Sequence, residues 1–295
     1  MLTSSNFWPP RNFAGLDAEL SDYDKSRFVI VPVPYDSTTT WRGGTREGAS
    51  SIIDASINME QFDRELGREI CEIGIHTTAD VEPDMRSPQH MAVRVTEIIG
   101  EILFDGKFPI MLGGEHSLTF GAVAAILKLP LEGNLTVLQI DAHTDLRDTY
   151  CDTKWGHGCV ARRMSELPGV EIVQVGLRST SLEEYSDVPS NVKQFWCEDI
   201  LGDFNGALKE ILAVCGENVY ITFDVDGCDP SWIGATGTPE PGGLSFYQVR
   251  DLLREVCTQK KVLGMDCVEL ISGDPPAAFA IARLLYKAMG YLSPK

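Results

Sequence analysis

Apolar runs of strand length recur along the 295-residue chain, and the intervals between them carry helical periodicity. Residues 27–35 (with Phe28, Val29, Ile30, Val31 and Val33), 71–75, 108–112, 135–140, 170–175, 219–223 and 261–267 read as strands. In most of them the apolar positions are consecutive rather than alternating, as in strands covered on both faces. Helices are expected over 47–58, 118–127, 158–166, 204–214 and 276–289. Another begins at Ser87-Pro88, with proline at the first helical position, and carries the stripe Val95, Ile98, Ile99, Ile102 and Leu103. The Ser245…Gln248 capping box opens one more, running to about Cys257. Strands alternating with helices predict an α/β fold around a mainly parallel sheet. Residues 1–25 are polar and read as an N-terminal arm, leaving 26–295 as a single domain. Two loops interrupt the rhythm. The Ser/Thr/Gly stretch 36–48 contains Arg42 and Arg46, a type of loop arginine that usually pairs with surface acids. The Gly/Pro-rich stretch 229–243 is too long for a tight connection, and such loops often carry function.

The chemistry gathers where strands end. After 135–140 come Asp141, His143 and Asp145, at every second position. In an extended backbone alternate side chains point the same way, so the three are expected to converge. After 219–223 come Asp224 and Asp226; after 108–112 come Gly113-Gly114-Glu115-His116-Ser117. Open α/β sheets place their sites at such carboxyl ends. Carboxylates and imidazoles aimed at one point repel and stay hydrated unless a cation lies between them. A single D-x-H-x-D is equally a polar turn; three such ends favour metal.

The formal net charge of −18 disfavours binding to nucleic acid and favours a small cationic substrate, although solubility alone would also account for it. Eight cysteines form no C-x-x-C pair, so reduced, mostly buried thiols and a cytoplasmic location are expected. Met1–Phe13 holds no signal-type apolar core, and no apolar run is long enough to cross a bilayer.

With these motifs in order, the sequence resembles the ureohydrolase family of arginases and agmatinases. The resemblance rests on Gly113–Ser117, Asp141–Asp145, Phe223-Asp224-Val225-Asp226-Gly227-Cys228-Asp229-Pro230, Thr238-Pro239-Glu240-Pro241-Gly242-Gly243 and Val268-Glu269. It implies a three-layer α/β/α domain, a homo-oligomer (trimer or hexamer) and two Mn(II) ions per subunit. His116, Asp141, Asp145 and Asp224 would hold one ion; Asp141, His143, Asp224 and Asp226 would hold the other, with Asp141 and Asp224 bridging. Oxygen-rich ligation with a minority of imidazole suits manganese. Two loops depart from the family pattern: 43–49 lacks both usual prolines, and 234–239 reads Gly-Ala-Thr-Gly-Thr-Pro.

The resemblance further implies hydrolysis of a guanidino substrate. Water on two metal ions loses a proton easily. Asp145 would orient that water, Glu269 would clamp the planar guanidinium, and His157 would protonate the departing amine. The alternatives are a strand-end salt bridge for Glu269 and a packing role for His157. His76 and His90 read as structural, and Glu115 as support for His116. A two-metal phosphoesterase lacks its asparagine-histidine signature here; a non-catalytic relative would not need all six ligand positions filled. Arginases read the amino-acid head with Asn-Thr-Pro after the central motif, where this chain has Leu146-Arg147-Asp148. Agmatine, giving putrescine and urea, is therefore the expected substrate. Guanidinobutyrate or guanidinopropionate is the alternative if Arg147 faces the pocket rather than pairing with Asp148 or Asp152.

Overall fold

The structure is a computed structural model and describes residues 8–293. Among these residues the strands are β1 (Phe28–Pro32), β2 (Phe62–Asp63), β3 (Arg68–Glu69), β4 (Ile75–Thr77), β5 (Phe108–Leu112), β6 (Leu135–Ile140), β7 (Val170–Leu177), β8 (Val192–Trp196), β9 (Asn218–Asp224) and β10 (Lys261–Val268). Eight of them form one sheet in the order β4-β1-β5-β10-β9-β6-β7-β8, with every pairing parallel. β2 and β3 form a separate antiparallel hairpin.

Alternate residues of each buried strand feed two apolar clusters. One gathers Ile30, Ile110, Ile140 and Ile221 beneath the helices Gly48–Ser56, Phe246–Gln259 and Pro275–Tyr291. The other gathers Val29, Met111, Val137 and Tyr220 beneath Pro88–Phe104, Thr119–Ile126 and Val160–Ser165. The result is the three-layer α/β/α arrangement. Of the first 25 residues, Met1–Phe7 lie outside the described residues. Phe13 and Leu16 are fully buried in the first cluster, and the Asn12 side chain closes a turn onto Leu16.

Several elements differ from expectation, among them the short helices Leu182–Ser186 and Cys197–Gly202, which were not expected. Ile70–Ile73 is a 3-10 turn, not a strand, and β4 starts only after Gly74 at φ +83°. A Cβ there would meet Ser26 Cα at 2.7 Å, so the glycine lets the chain pass close and redirect. Three apolar residues around Glu72 do not distinguish such a turn from a short strand. β8 had no strand signal because Lys193 of this edge strand is exposed and Gln194, Phe195 and Trp196 are only partly buried. The hairpin, with its two-residue strands, is too short to show a period.

The register matters most for the site. Val268 lies beside Asp224, Cys267 beside both Phe223 and Leu112, and Ile140 beside Phe223. The carboxyl ends of the neighbouring strands β5, β10, β9 and β6 therefore finish at one level.

Candidate active site

Each of those four ends turns sharply. β5 runs into Gly114, whose added Cβ would lie 1.8 Å from the Tyr35 carbonyl oxygen, so only glycine admits this crossing. The turn delivers Glu115 and His116. After β6 the His143 N–H donates to Asp141 Oδ1 (2.6 Å); after β9 the Asp226 N–H donates to Asp224 Oδ1 (2.9 Å). Each aspartate thus folds its own motif back on itself. Asp145 then sits at φ +50°, in the left-handed region. Convergence comes from these Asx-type turns and not from an extended run, because β6 ends at Ile140.

The ligand atoms do meet. His116 Nδ1 lies 3.1 Å from Asp145 Oδ2, 3.2 Å from Asp141 Oδ2 and 3.3 Å from Asp224 Oδ2. His143 Nδ1 lies 2.9 Å from Asp226 Oδ2 and 3.7 Å from Asp141 Oδ1. Two clusters with metal-ligand spacing result, His116/Asp141/Asp224 and Asp141/His143/Asp226, sharing Asp141. Behind His116 its Nε2 contacts Thr222 Oγ1 at 2.9 Å, and Thr222 donates to Asp266 Oδ1 at 2.7 Å. The threonine proton is spent on Asp266, so Nε2 must be the donor to Thr222. In the neutral ring Nδ1 is then a lone pair, buried with no hydrogen-bond donor to meet it and aimed among carboxylate oxygens. A proton on that nitrogen or a metal ion would each relieve the repulsion, and metal ions also account for the second cluster around His143. The residues therefore fit the metal ions that the motif predicts.

Charge gives the same answer. Burial, then the charges of Asp226 and Asp145, push Asp141 up to about 7. Burial and the same Asp226 raise Asp224 well above the carboxylate range. Burial and the neighbouring Glu115 do the same to Glu269. Burial works against the imidazolium of His143, but Asp226 and Asp141 overcome it and raise the ring to about 11. His116 rises against its burial through Asp141, Asp145 and Asp224. Burial would raise Asp226, yet His143 holds it at about 2. The cluster draws in protons because it has too little positive charge of its own.

Further groups surround it. Gln139 Nε2 donates to Asp141 Oδ2 (2.7 Å), Gln174 Nε2 to Gln139 Oε1 (2.9 Å) and Gln194 Nε2 to Gln174 Oε1 (3.0 Å), crossing β6, β7 and β8 in register. A cavity of about 240 Å³ opens above the ligands, walled by His157, Glu269, Arg147, Glu184, Trp41 and Thr238 among others. Glu269, at φ +66°, accepts the His116 N–H on Oε1 at 2.7 Å. His157 opens a 3-10 turn that packs near the turn carrying His116, and contacts Thr38 through Nδ1. Glu115 does not support the His116 side chain; it accepts from Thr38 and Ser117. Arg147 lines the cavity, stacks over Tyr150 (4.6 Å) and reaches buried Glu184 (3.5 Å), not Asp148 or Asp152. Glu184 Oε1 accepts from Thr144 Oγ1 and the Leu146 N–H, bracketing Asp145. Arg46 pairs with the buried Asp36, while Arg42 lines the cavity. His76 and His90 contact Ser21 and Ser87, away from the cavity.

One side chain from outside ties the two ends of the loop 227–243 together, beside the loop's own Asp229, whose carboxylate accepts the Gly242 and Gly243 N–H groups. The Arg178 guanidinium donates to the carbonyl oxygens of Gly176, Asp226, Gly227, Cys228, Glu240 and Pro241. Sequence reasoning passed over Arg178, Thr38, Glu184 and the glutamine row. Only contacts between distant segments reveal them.

The profile of the family described as the arginase family matches residues 26–290. An N(1)-aminopropylagmatine ureohydrolase of Synechocystis sp. is 35% identical over 290 residues, covering 96% of this chain and 94% of that protein. An agmatinase of Pyrococcus horikoshii is 34% identical, covering 94% and 97%. The crystal structure of the agmatine ureohydrolase of Thermoplasma volcanium superposes with a TM-score of 0.87 at 32% identity, covering 98% and 96%. Formimidoylglutamase of Bacillus subtilis shares the fold, with a TM-score of 0.84 at 22% identity over 100% and 97% of the two chains.

Proposed function

The chain belongs to the arginase family, and from that premise we propose that it is a dinuclear manganese ureohydrolase releasing urea from agmatine and leaving putrescine. That it is an agmatinase-like hydrolase of guanidino compounds follows from the relatives. The observation that carries the metal part is the lone Nδ1 of His116, buried among three carboxylates with no donor to meet it. One ion would sit on His116, Asp141, Asp145 and Asp224, the other on Asp141, His143, Asp224 and Asp226. When bound, the ions supply a water activated for hydrolysis.

The remaining work falls to side chains. Asp145 orients the water from the wall beside His116. Glu269 keeps Oε2 for the guanidinium, since its Oε1 is engaged by the His116 N–H. His157, which also lines the cavity, protonates the amine nitrogen as its bond to carbon breaks. At the far end, Leu146 is fully buried, and Arg147 is occupied by Glu184 and Tyr150. The positions directly after Asp145 therefore offer no free polar group to an α-amino-acid head, which would have to find partners among other lining residues such as Thr39, Arg42, Ser179 and Thr180. An amine-ended substrate suits these positions better. The Synechocystis relative supports a second reading, in which the amine end is extended as in N(1)-aminopropylagmatine. Seven buried free cysteines support a cytoplasmic setting, and exposed Phe104 and Leu182 support a homo-oligomer. No helix among the described residues is long and apolar enough to cross a membrane.

Urea release by manganese-loaded protein tests the reading. Values of kcat/KM compared for agmatine, N(1)-aminopropylagmatine, arginine and guanidinobutyrate should place an amine-ended guanidine first. Arginine or a guanidino acid leading would overturn the substrate assignment.

A further inference from the structure

We propose that Thr38 and Glu115 form a positioning pair that fixes the tautomer of His157, keeping a proton on Nδ1 and leaving Nε2 to exchange protons with substrate. The proposal rests on the reading of His157 as proton donor. It adds two residues from separate segments, one of them in the loop after β1.

The argument is a count of protons. A threonine hydroxyl has one hydrogen to give and two lone pairs to receive with. Thr38 gives its hydrogen to Glu115 Oε1, 2.7 Å away. One lone pair takes the backbone N–H of His157 at 3.1 Å. The other faces His157 Nδ1 at 3.2 Å. With its hydrogen already placed, Thr38 can only accept there, so Nδ1 carries the proton. Glu115 is well suited to hold the hydroxyl in that direction. It is fully buried, and its two oxygens also receive the Thr38 N–H at 2.6 Å and the Ser117 hydroxyl at 2.5 Å. A proton on Oε1 would confront two hydroxyl donors, whereas a carboxylate accepts all three.

The backbone and the ring of His157 are thus tied to one oxygen. Nε2 makes no hydrogen bond among the described residues, and the residue borders the cavity with Glu269 and Asp224. In the cationic ring Nε2–H is the acid. Its proton passes to the amine nitrogen as the C–N bond breaks, and solvent returns one to Nε2. Nδ1–H stays on Thr38 throughout, with the Glu115 charge behind it. A buried acid that holds a catalytic imidazole in one tautomer is a recurrent device, and the wrong tautomer is costly. Here a hydroxyl stands between acid and ring.

The test begins with metal-free protein carrying ¹⁵N-histidine, read by solid-state NMR at a pH where the ring is neutral. Five histidines are present, and the H157Q spectrum identifies the signal of interest. The expected parent signal is protonated Nδ1 with bare Nε2. T38V should move the population toward Nε2–H. S117A also removes a hydroxyl from Glu115 but does not touch the ring, and should leave the tautomer in place. In manganese-loaded protein T38V should lower kcat on the order of 10–100-fold with KM and metal content near parent, and T38S should recover most of it. A parent ring protonated on Nε2, or equal tautomer shifts in T38V and S117A, would overturn the proposal. If the parent released no urea from any guanidine, the functional reading would fall, while the spectrum would still decide the tautomer.

Discussion

Asp141 is the residue on which most of the site converges. It receives the Gln139 amide and the His143 N–H, and both metal-type clusters include it. Replacing it removes a shared charge without removing volume. D141N is expected to lower the occupancy of both metal positions, and D224N to do the same if Asp224 bridges; metal analysis of the purified variants checks this. His157 makes the opposite case. Its side chain borders the cavity but stands apart from the ligand clusters. H157A should leave metal content near normal and lower kcat by about 10²–10⁴-fold, as general acids do. The six proposed ligands stood out in the sequence as acids and histidines repeated at strand ends, and their division between two ions came from the family resemblance. Thr38 and Glu184 did not stand out. Threonine and glutamate are ordinary loop and helix residues, and their meaning comes from partners 77 and 40 positions away.

Elements were legible where periodicity was long. The helices Pro88–Phe104, Phe204–Val214 and Phe246–Gln259 start where their caps and stripes place them, and Ser245 and Gln248 form the expected reciprocal cap. Elements that depend on a neighbour, such as edge strand β8, escaped. The 227–243 loop is the clearest instance. Its Gly/Pro content marks it as irregular, but its two ends are tied together by Arg178, immediately after β7, alongside Asp229 and Trp232 of the loop itself. Hydrogen bonds to a charged group contribute about 1.5–3 kcal/mol each when lost from a buried setting, less where water replaces them. R178A should lower the melting temperature and speed amide hydrogen exchange across residues 229–243, with KM rising because Thr238 borders the cavity. Unchanged exchange in that segment would mean that the loop holds itself.

At the scale of the whole molecule the site is a liability that metal relieves. The folded-state value of Asp141 is raised to about 7, above the ordinary 3.8, so the metal-free protein binds more protons folded than unfolded between those values. Its stability therefore falls as pH rises toward 7. His143, raised from 6.5 to about 11, contributes stability below 6.5 that is lost on the way to 11, which extends the decline into the alkaline range. Asp226, held at about 2, acts in the opposite sense but only below about 4. Chelator-treated protein should thus melt at a lower temperature at pH 8 than at pH 6. Manganese should raise the melting temperature more at pH 8, where fewer protons compete for the ligands. Equal gains at both values would show that the acids are not protonated in the metal-free fold.

The glutamine row has a consequence that reaches from one margin of the molecule to its centre. Its three amides point the same way, each N–H toward the next carbonyl and the last toward Asp141. Head-to-tail amides polarise one another. The row is a short dipole lying across the strands, with its positive end on the carboxylate shared by both clusters and its negative end at β8, the strand with a free flank. The carboxylate shared by both clusters is therefore held from behind by a chain of amides that begins at the sheet's outer margin.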